Sequence, residues 1–516
     1  MTPDSIRTAV AITRSDDARD RRIARLHACM GGAGFVLCSA LAAALVAMSN
    51  GNPLVVPAVC MAVIFVFLLV RHLELGVYVL LAAVLLLDQF PVGAFNSALV
   101  QQTIKFYLNF NSTTGISALV FNPVELLLGM VVAGWFLRAT VTRKWHMHRV
   151  PNMGIAVLFL LMLFFFTGYG LLRGGGNWKA ALWEIRPLYY LCGMYFLTPQ
   201  LIRTPQQVRV CVWIVVVSLA LRGLLGCWRY FVTLNRDLGN IRAILGHEDS
   251  LFLITGFVLL AALTFLGYRG REWKVLLWTA VPNLITFIFN QRRITFGVLG
   301  LSLALVVAVL PRLHMRQALR IVIPAAMLLA VYTAVFWNRS GTIAMPAQKI
   351  KSAFVKQEGT ADESSNEWRK LELLNLRATI RAYPQGIGFG QKYLVVVPYA
   401  DIGGLFPLWN YIPHCAIYWM WVKTGFVGFT IFWLFFGVAI TQAMIDFRAM
   451  RDPYFKAVAL MVMLFIVGQV IVAYYDLQIT YFRNMIYLGT AMAIGVVVRR
   501  LDTQAVSVAA GGLDGK

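Results

Sequence analysis

Arg292 and Arg293 stand side by side between two apolar runs, on a turn too short to carry them away from a membrane surface. Guanidinium groups held there are costly unless they snorkel or meet an anion. The pair reads either as an anchor on lipid headgroup phosphate or as a clamp for an anionic substrate. Arg242 lies in Asn-Ile-Arg-Ala-Ile-Leu-Gly-His-Glu-Asp, just ahead of another apolar run. Glu248 and Asp249 suit a helix N-terminus there, a reason that covers neither Arg242 nor His247. His414 follows Pro413 at the mouth of an apolar run that carries Trp419 and Trp421. A histidine beside aromatics is ordinarily interfacial. Beside arginines its protonated form is disfavoured, which suits a general base at neutral pH. Asp476, in Tyr-Tyr-Asp-Leu-Gln, is the carboxylate expected to orient His414 or to hold an arginine.

These residues flank a polar, glycine-punctuated stretch at 364–428. From 367 to 383 the pattern is helical, and Lys370, Arg377 and Arg381 share one face beside Leu371, Leu374 and Ala378. A basic helix with an apolar side should lie in the membrane interface. Pro384 ends it. Gly386, Gly388 and Gly390 then allow either a close approach to a ligand or, more plainly, a re-entrant turn into the next span.

The elements that must position these groups are helices in lipid. Of 516 residues 59% are hydrophobic and 13% charged, with a mean hydropathy of +0.70, too little polar surface for a soluble globule of this length. The 46 Lys and Arg against 23 Asp and Glu give a net charge of +23. The basic residues sit in short clusters between apolar runs, which is a positive-inside bias and excludes a nucleic-acid-binding face. The seven cysteines form no CxxC pair and read as small core residues. His146 and His148 have no carboxylate or cysteine near them to complete a metal site. There is no P-loop, dinucleotide fingerprint, HExxH motif or internal repeat, so nucleotide-driven and metal-hydrolytic chemistry find no support, and neither a cofactor nor a metal is expected.

About fourteen apolar runs reach spanning length, with those near 187 and 275 short enough to be half-helices. The expected order is a cytoplasmic segment at 1–30, helices 1–11 within 31–337, a periplasmic loop at 338–411, helices 12–14 within 412–498, and a cytoplasmic tail at 499–516. With an uncleaved cytoplasmic N-terminus, every predicted inner loop is basic, from Arg71-His72 to Arg499-Arg500. That puts Arg242, His247, Arg292, Arg293, the long loop, His414 and Asp476 on the outer side.

In chain order, these features resemble the O-antigen ligase and Wzy-type polymerase superfamily. They are an arginine before a central span, Arg292-Arg293 at a short outer turn, an arginine-bearing loop helix, Pro384-x-Gly-x-Gly-x-Gly390, His414, and Gly425-Phe-Val-Gly428. The close match covers 364–428; Arg292-Arg293 is a shorter match and Arg242 a loose one. The chain departs from the family in having His414-Cys415 for His-Asn, Arg-Arg for Ser-Arg, and two spans beyond the usual twelve.

The resemblance implies an all-α polytopic membrane protein, GT-C-like, in the bacterial inner membrane with a partly helical periplasmic loop. Its substrate would be an undecaprenyl-diphosphate-linked oligosaccharide or polysaccharide, its second substrate a glycan acceptor, and its partners polysaccharide export and chain-length proteins. Arginines can clamp a diphosphate leaving group bidentately. The reading therefore gives the diphosphate to Arg242, Arg292, Arg293 and Arg369, acceptor activation to His414, orientation to Asp476, and substrate contacts to His247 and Lys370. The activity expected is a metal-independent, inverting glycosyltransferase, with a slight lean to polymerase over ligase. Transfer to a protein acceptor and a non-enzymatic lipid-glycan flippase or transporter are the alternatives.

Overall fold

The computed structural model describes residues 25, 28, 29, 32, 36, 55–92, 95, 98–114, 119–143, 147–238, 241, 243–339, 341–355, 361–404 and 406–511. Among these there are 17 α-helices and no strand. The chain forms two compact units, Met1–Leu80 with Asn109–His148, and Leu81–Leu108 with Arg149–Lys516. The apolar run expected at 31–48 lies outside the described residues.

The first unit holds α1 (Val55–Arg71), the first turns of α2 (Glu74–Leu86), α4 (Phe110–Thr114) and α5 (Pro123–Thr142). Asn122 and Glu125 close a reciprocal capping box at the start of α5, each side chain accepting the other's backbone N–H at 2.9 Å. Gly76 lets α2 come against α5, since a Cβ there would lie 2.1 Å from Val131.

The second unit begins with the end of α2 and short α3 (Ala98–Ile104), then α6 (Met153–Leu172), α7 (Trp178–Leu201) and α8 (Pro205–Trp228), extended by a π turn to Thr233. It continues through α9 (Asp249–Phe265), α10 (Arg271–Phe289), α11 (Arg293–Val309) and α12 (Arg312–Phe336). Two loop helices, α13 (Met345–Phe354) and α14 (Ala361–Ala382), lead to α15 (Ala416–Ala449), α16 (Pro453–Tyr475) and α17 (Phe482–Gly511). Among the described residues six helices are long and apolar enough to cross a membrane: α5, α6, α8 with its π turn, most of α12, α15 and α16. The chain is a multi-pass membrane protein by that measure. Its core runs along α16, which is buried over most of its length. Gly489 on α17 meets the Leu191 backbone of α7, and Gly223 and Gly226 on α8 meet Asn283 and Thr286 of α10.

The two short runs differ from expectation. The one near 187 begins at Trp178, because Asn177 caps the helix at Lys179 and Ala180 (3.0 and 3.2 Å) and Glu184 is neutralised by Lys423 at 2.6 Å. A turn that looks polar in sequence is therefore buried helix. The one near 275 is 19 residues long and continues through Pro282.

Basic segments of this unit near 203, 269, 451 and 500 gather at one end. There Arg500 donates to the Ile202 carbonyl (3.1 Å), Asp502 accepts the Arg451 and Asp452 backbone N–H groups, and the Tyr268 ring meets Tyr454. The expected inner loops at 203–209, 269–274 and 448–456 and the 499–500 segment have neighbours at this end. The other end holds the polar cluster described next.

Candidate functional site

At that other end the N-termini of α9, α11, α15 and α17, the C-terminus of α16 and the loop helix α14 converge. Trp368, Glu372, Asn375 and Thr379 recur every three or four residues along α14 and so share its inner face. Asn375 bonds the backbone of Val396 and Val397 (2.7 to 2.9 Å), and Thr379 Oγ1 accepts the Leu394 N–H at 3.0 Å. These bonds fasten the loop segment at 394–397 to the helix. Lys370, Arg377 and Arg381 lie on the exposed side of α14, so Lys370 is not brought into the cluster.

Glu372 is 1% exposed and faces the start of α15. Its Oε2 accepts the His414 backbone N–H at 3.0 Å, and its Oε1 lies 3.3 Å from His414 Nδ1. An ionised carboxylate at that position can only accept, so in the neutral imidazole it favours the tautomer with the proton on Nδ1 and the lone pair on Nε2. Trp368 packs perpendicular to the imidazole, with ring centroids 4.7 Å apart. The carboxylate that orients His414 is thus Glu372; Asp476, expected in that role, is engaged elsewhere. Next to His414, burial pushes the Cys415 thiol up to about 11, so it is a neutral thiol at pH 7.

The arginines form the facing group. Arg293 Nη2 donates to Asn366 Oδ1 at 3.2 Å, which ties α11 to α14. Arg369 follows Asn366 by three residues, and its charge acts on Arg292. The Nε atoms of Arg292 and Arg369 are both buried with no hydrogen-bond partner. Burial pushes Arg292 below the ordinary arginine range; Asp476 is the first of the groups that oppose this, and Arg369 adds to it. Asp476 has 15% of its side chain exposed, lies 3.8 Å from His247 Nδ1, and accepts from Gln478 at 3.2 Å. Burial raises its carboxyl, but His247 and Arg292 outweigh that and hold it well below the usual range. Guanidinium nitrogens without a partner retain the capacity to donate to an acceptor.

Beneath this layer lies an ionic cluster that sequence reasoning missed. Arg222 of α8 bonds Asp88 and Asp249, with Nη2 2.9 Å from Asp249 Oδ2. Arg483 bonds Glu248 at 2.5 Å and Asp249 at 2.8 Å, and Arg229 lies 3.7 Å from Asp88. Glu248 and Asp249 are therefore committed to arginines, beyond the helix-start role expected of them. The three carboxylates and three guanidiniums of the cluster balance in number, and Arg292, Arg293 and Arg369 stand outside it.

The Gly386–Gly390 turn is structural. All three glycines have φ between 81° and 88°, and a Cβ on Gly388 would come 2.3 Å from Gly170 Cα. The turn's backbone bonds Val422, Lys423 and Phe166 carbonyls (2.9 to 3.1 Å), and Gly390 N–H donates to Glu184 at 2.5 Å. It packs where α15 breaks at Gly425 (φ 60°, ψ −165°). Arg242 lies outside the described residues.

No family model matches this chain. A stretch of 93 residues is 30% identical to a probable potassium transport system protein Kup 1 of Geobacter sulfurreducens; it covers 18% of this chain and 14% of that protein.

Proposed function

We propose that the protein is a metal-independent, inverting glycosyltransferase. It would move a glycan from an undecaprenyl-diphosphate carrier to an acceptor sugar hydroxyl, as polymerases and ligases of the O-antigen ligase family do. The observation that carries this reading is the pairing of an oriented base, Glu372–His414, with the unpartnered Nε atoms of Arg292 and Arg369. The acceptor oxygen attacks the anomeric carbon while its proton passes to His414 Nε2. The bond from that carbon to the diphosphate breaks, and its electron pair leaves with the lipid diphosphate. Arg292, Arg293 and Arg369 stabilise the charge that develops there, with Arg242 as a further contact assigned from sequence. No carboxylate or thiolate nucleophile is needed, so displacement is direct and inverting.

The wider reading has about fourteen spans in a GT-C-like arrangement in the bacterial inner membrane, both termini cytoplasmic and the α14 loop periplasmic. Its partners are the lipid-linked glycan, the acceptor and the export machinery. A transporter or flippase is the second reading, favoured by the partial likeness to a Kup protein and the buried ionic cluster. Charge on both halves of a central pathway would support it, whereas the unpartnered guanidinium nitrogens of Arg292 and Arg369 gather at one end. Transfer to a protein acceptor would use the same parts.

Deleting the gene and restoring it as wild type or His414→Ala tests the reading. Loss of extended surface glycan, restored only by wild type, is expected. A single repeat left on the acceptor marks a polymerase, and long chains stranded on the carrier mark a ligase. Full restoration by His414→Ala would refute the role of the base.

A further inference from the structure

The loop between α14 and α15 carries a run of aromatic rings that leads away from His414. Trp368 stands perpendicular to the imidazole (4.7 Å, 78°), Tyr399 perpendicular to Trp368 (4.9 Å, 75°), and Trp409 perpendicular to Tyr399 (5.2 Å, 88°). None of the three rings is fully buried and none is fully exposed. Their positions are fixed from behind. Tyr399 and Tyr393 share a hydroxyl contact at 2.5 Å, Tyr393 OH reaches the Trp409 carbonyl at 2.9 Å, and Trp368 Nε1 reaches the Ala400 carbonyl at 3.4 Å. The buried Asn375 and Thr379 of α14 hold the loop segment that precedes Tyr399. The Trp368 indole N–H and the Tyr399 hydroxyl are therefore engaged within the loop. Beside Trp409, Asn410 Oδ1 is buried with no hydrogen-bond partner.

We propose that Trp368, Tyr399 and Trp409 form a stacking platform for the acceptor glycan, with Trp368 holding the sugar whose hydroxyl meets His414 and Trp409 holding a more distant ring. The inference rests on the transferase reading above and gives its acceptor site a location. Pyranose rings present flat C–H faces ringed by hydroxyls. Rigid, pre-ordered aromatic faces bind such surfaces at small entropic cost, as they bind other flat partners. A run of fixed rings next to a base gives the acceptor contacts of its own, apart from the arginines assigned to the donor diphosphate. The loop's tie to α14 also means that the helix carrying Glu372 and Arg369 sets the platform's distance from both.

The test uses the full-length protein in detergent and an oligosaccharide released from the host's own surface polysaccharide, labelled at its reducing end. Hydroxyl-radical footprinting of the wild-type protein should show Trp368, Tyr399 and Trp409 protected by the oligosaccharide while Trp178, 47% exposed at the start of α7, stays unprotected. Binding should weaken by about tenfold or more in Trp409→Ala and by less than about threefold in Trp409→Phe. Unprotected platform rings, or wild-type affinity in Trp409→Ala, would overturn the proposal. Since the footprint uses no variant, misfolding of Trp409→Ala leaves the answer intact. The two claims separate cleanly: protection without any transfer activity sinks the transferase and keeps the platform. Transfer with an unchanged acceptor KM in Trp409→Ala does the reverse.

Discussion

Glu372→Gln is the perturbation that separates chemistry from architecture. The side chain keeps its shape, so the amide oxygen can still accept the His414 backbone N–H that Glu372 accepts at 3.0 Å. The other position, 3.3 Å from Nδ1, changes from acceptor to donor. An NH₂ there favours a lone pair on Nδ1, which moves the proton to Nε2 and removes the base. The stability cost should be under about 1 kcal/mol because the buried N–H stays satisfied. The rate should fall by about 10²–10⁴-fold, the range seen when a carboxylate that sets a catalytic tautomer is neutralised. Glu372→Ala should add about 1–3 kcal/mol of destabilisation by orphaning that N–H. The assay is single-turnover release of lipid diphosphate in proteoliposomes, with melting followed in parallel. Wild-type rates within about threefold in a folded Glu372→Gln protein would refute the assignment of the tautomer and with it the base.

Arg292→Lys and Arg369→Lys should each recover little of the activity lost in the alanine variants, because a point charge does not replace a planar fork on a diphosphate; turnover assays with the lysine and alanine series check this. Asp476 has a depressed carboxyl pKa, so it contributes stability that is present above its ordinary value of 3.8 and is lost as pH falls through the lower folded-state value. Asp476→Asn should therefore melt earlier than wild type at pH 7, with the gap closing in strong acid, which a pH series of melting curves measures. Gly388→Ala should destabilise by more than about 1 kcal/mol, given its φ of 84° and the 2.3 Å approach to Gly170. Yield and melting of the purified variant would show it.

The helical, multi-pass character was readable in the sequence because apolar runs of spanning length leave few alternatives, and the basic segments near 203, 269, 451 and 500 have neighbours at one end. The site was readable only where a residue was anomalous by itself. Arg292 and His414 stand out as polar groups beside apolar runs. Glu372 does not, since it sits in a polar helix whose basic residues, Lys370, Arg377 and Arg381, drew attention to the wrong face. Its partner lies 42 residues away, and Asp88 lies 134 residues from Arg222. Pairings at such distances leave no periodic trace. The spacing of Trp368, Glu372, Asn375 and Thr379 was the available signal, a polar stripe on a helix that had a better-looking basic stripe beside it. The early start of α7 was hidden for a related reason, because Glu184 looks like a surface residue until Lys423 is placed against it.

The most direct measurement follows both halves of a doubly labelled lipid-diphosphate glycan in proteoliposomes containing the purified protein and acceptor. The account predicts free lipid diphosphate appearing in step with glycan on the acceptor, with inverted anomeric configuration, in wild type and not in His414→Ala. Intact glycan lipid crossing the bilayer with no release of lipid diphosphate, equally in both proteins, would contradict it.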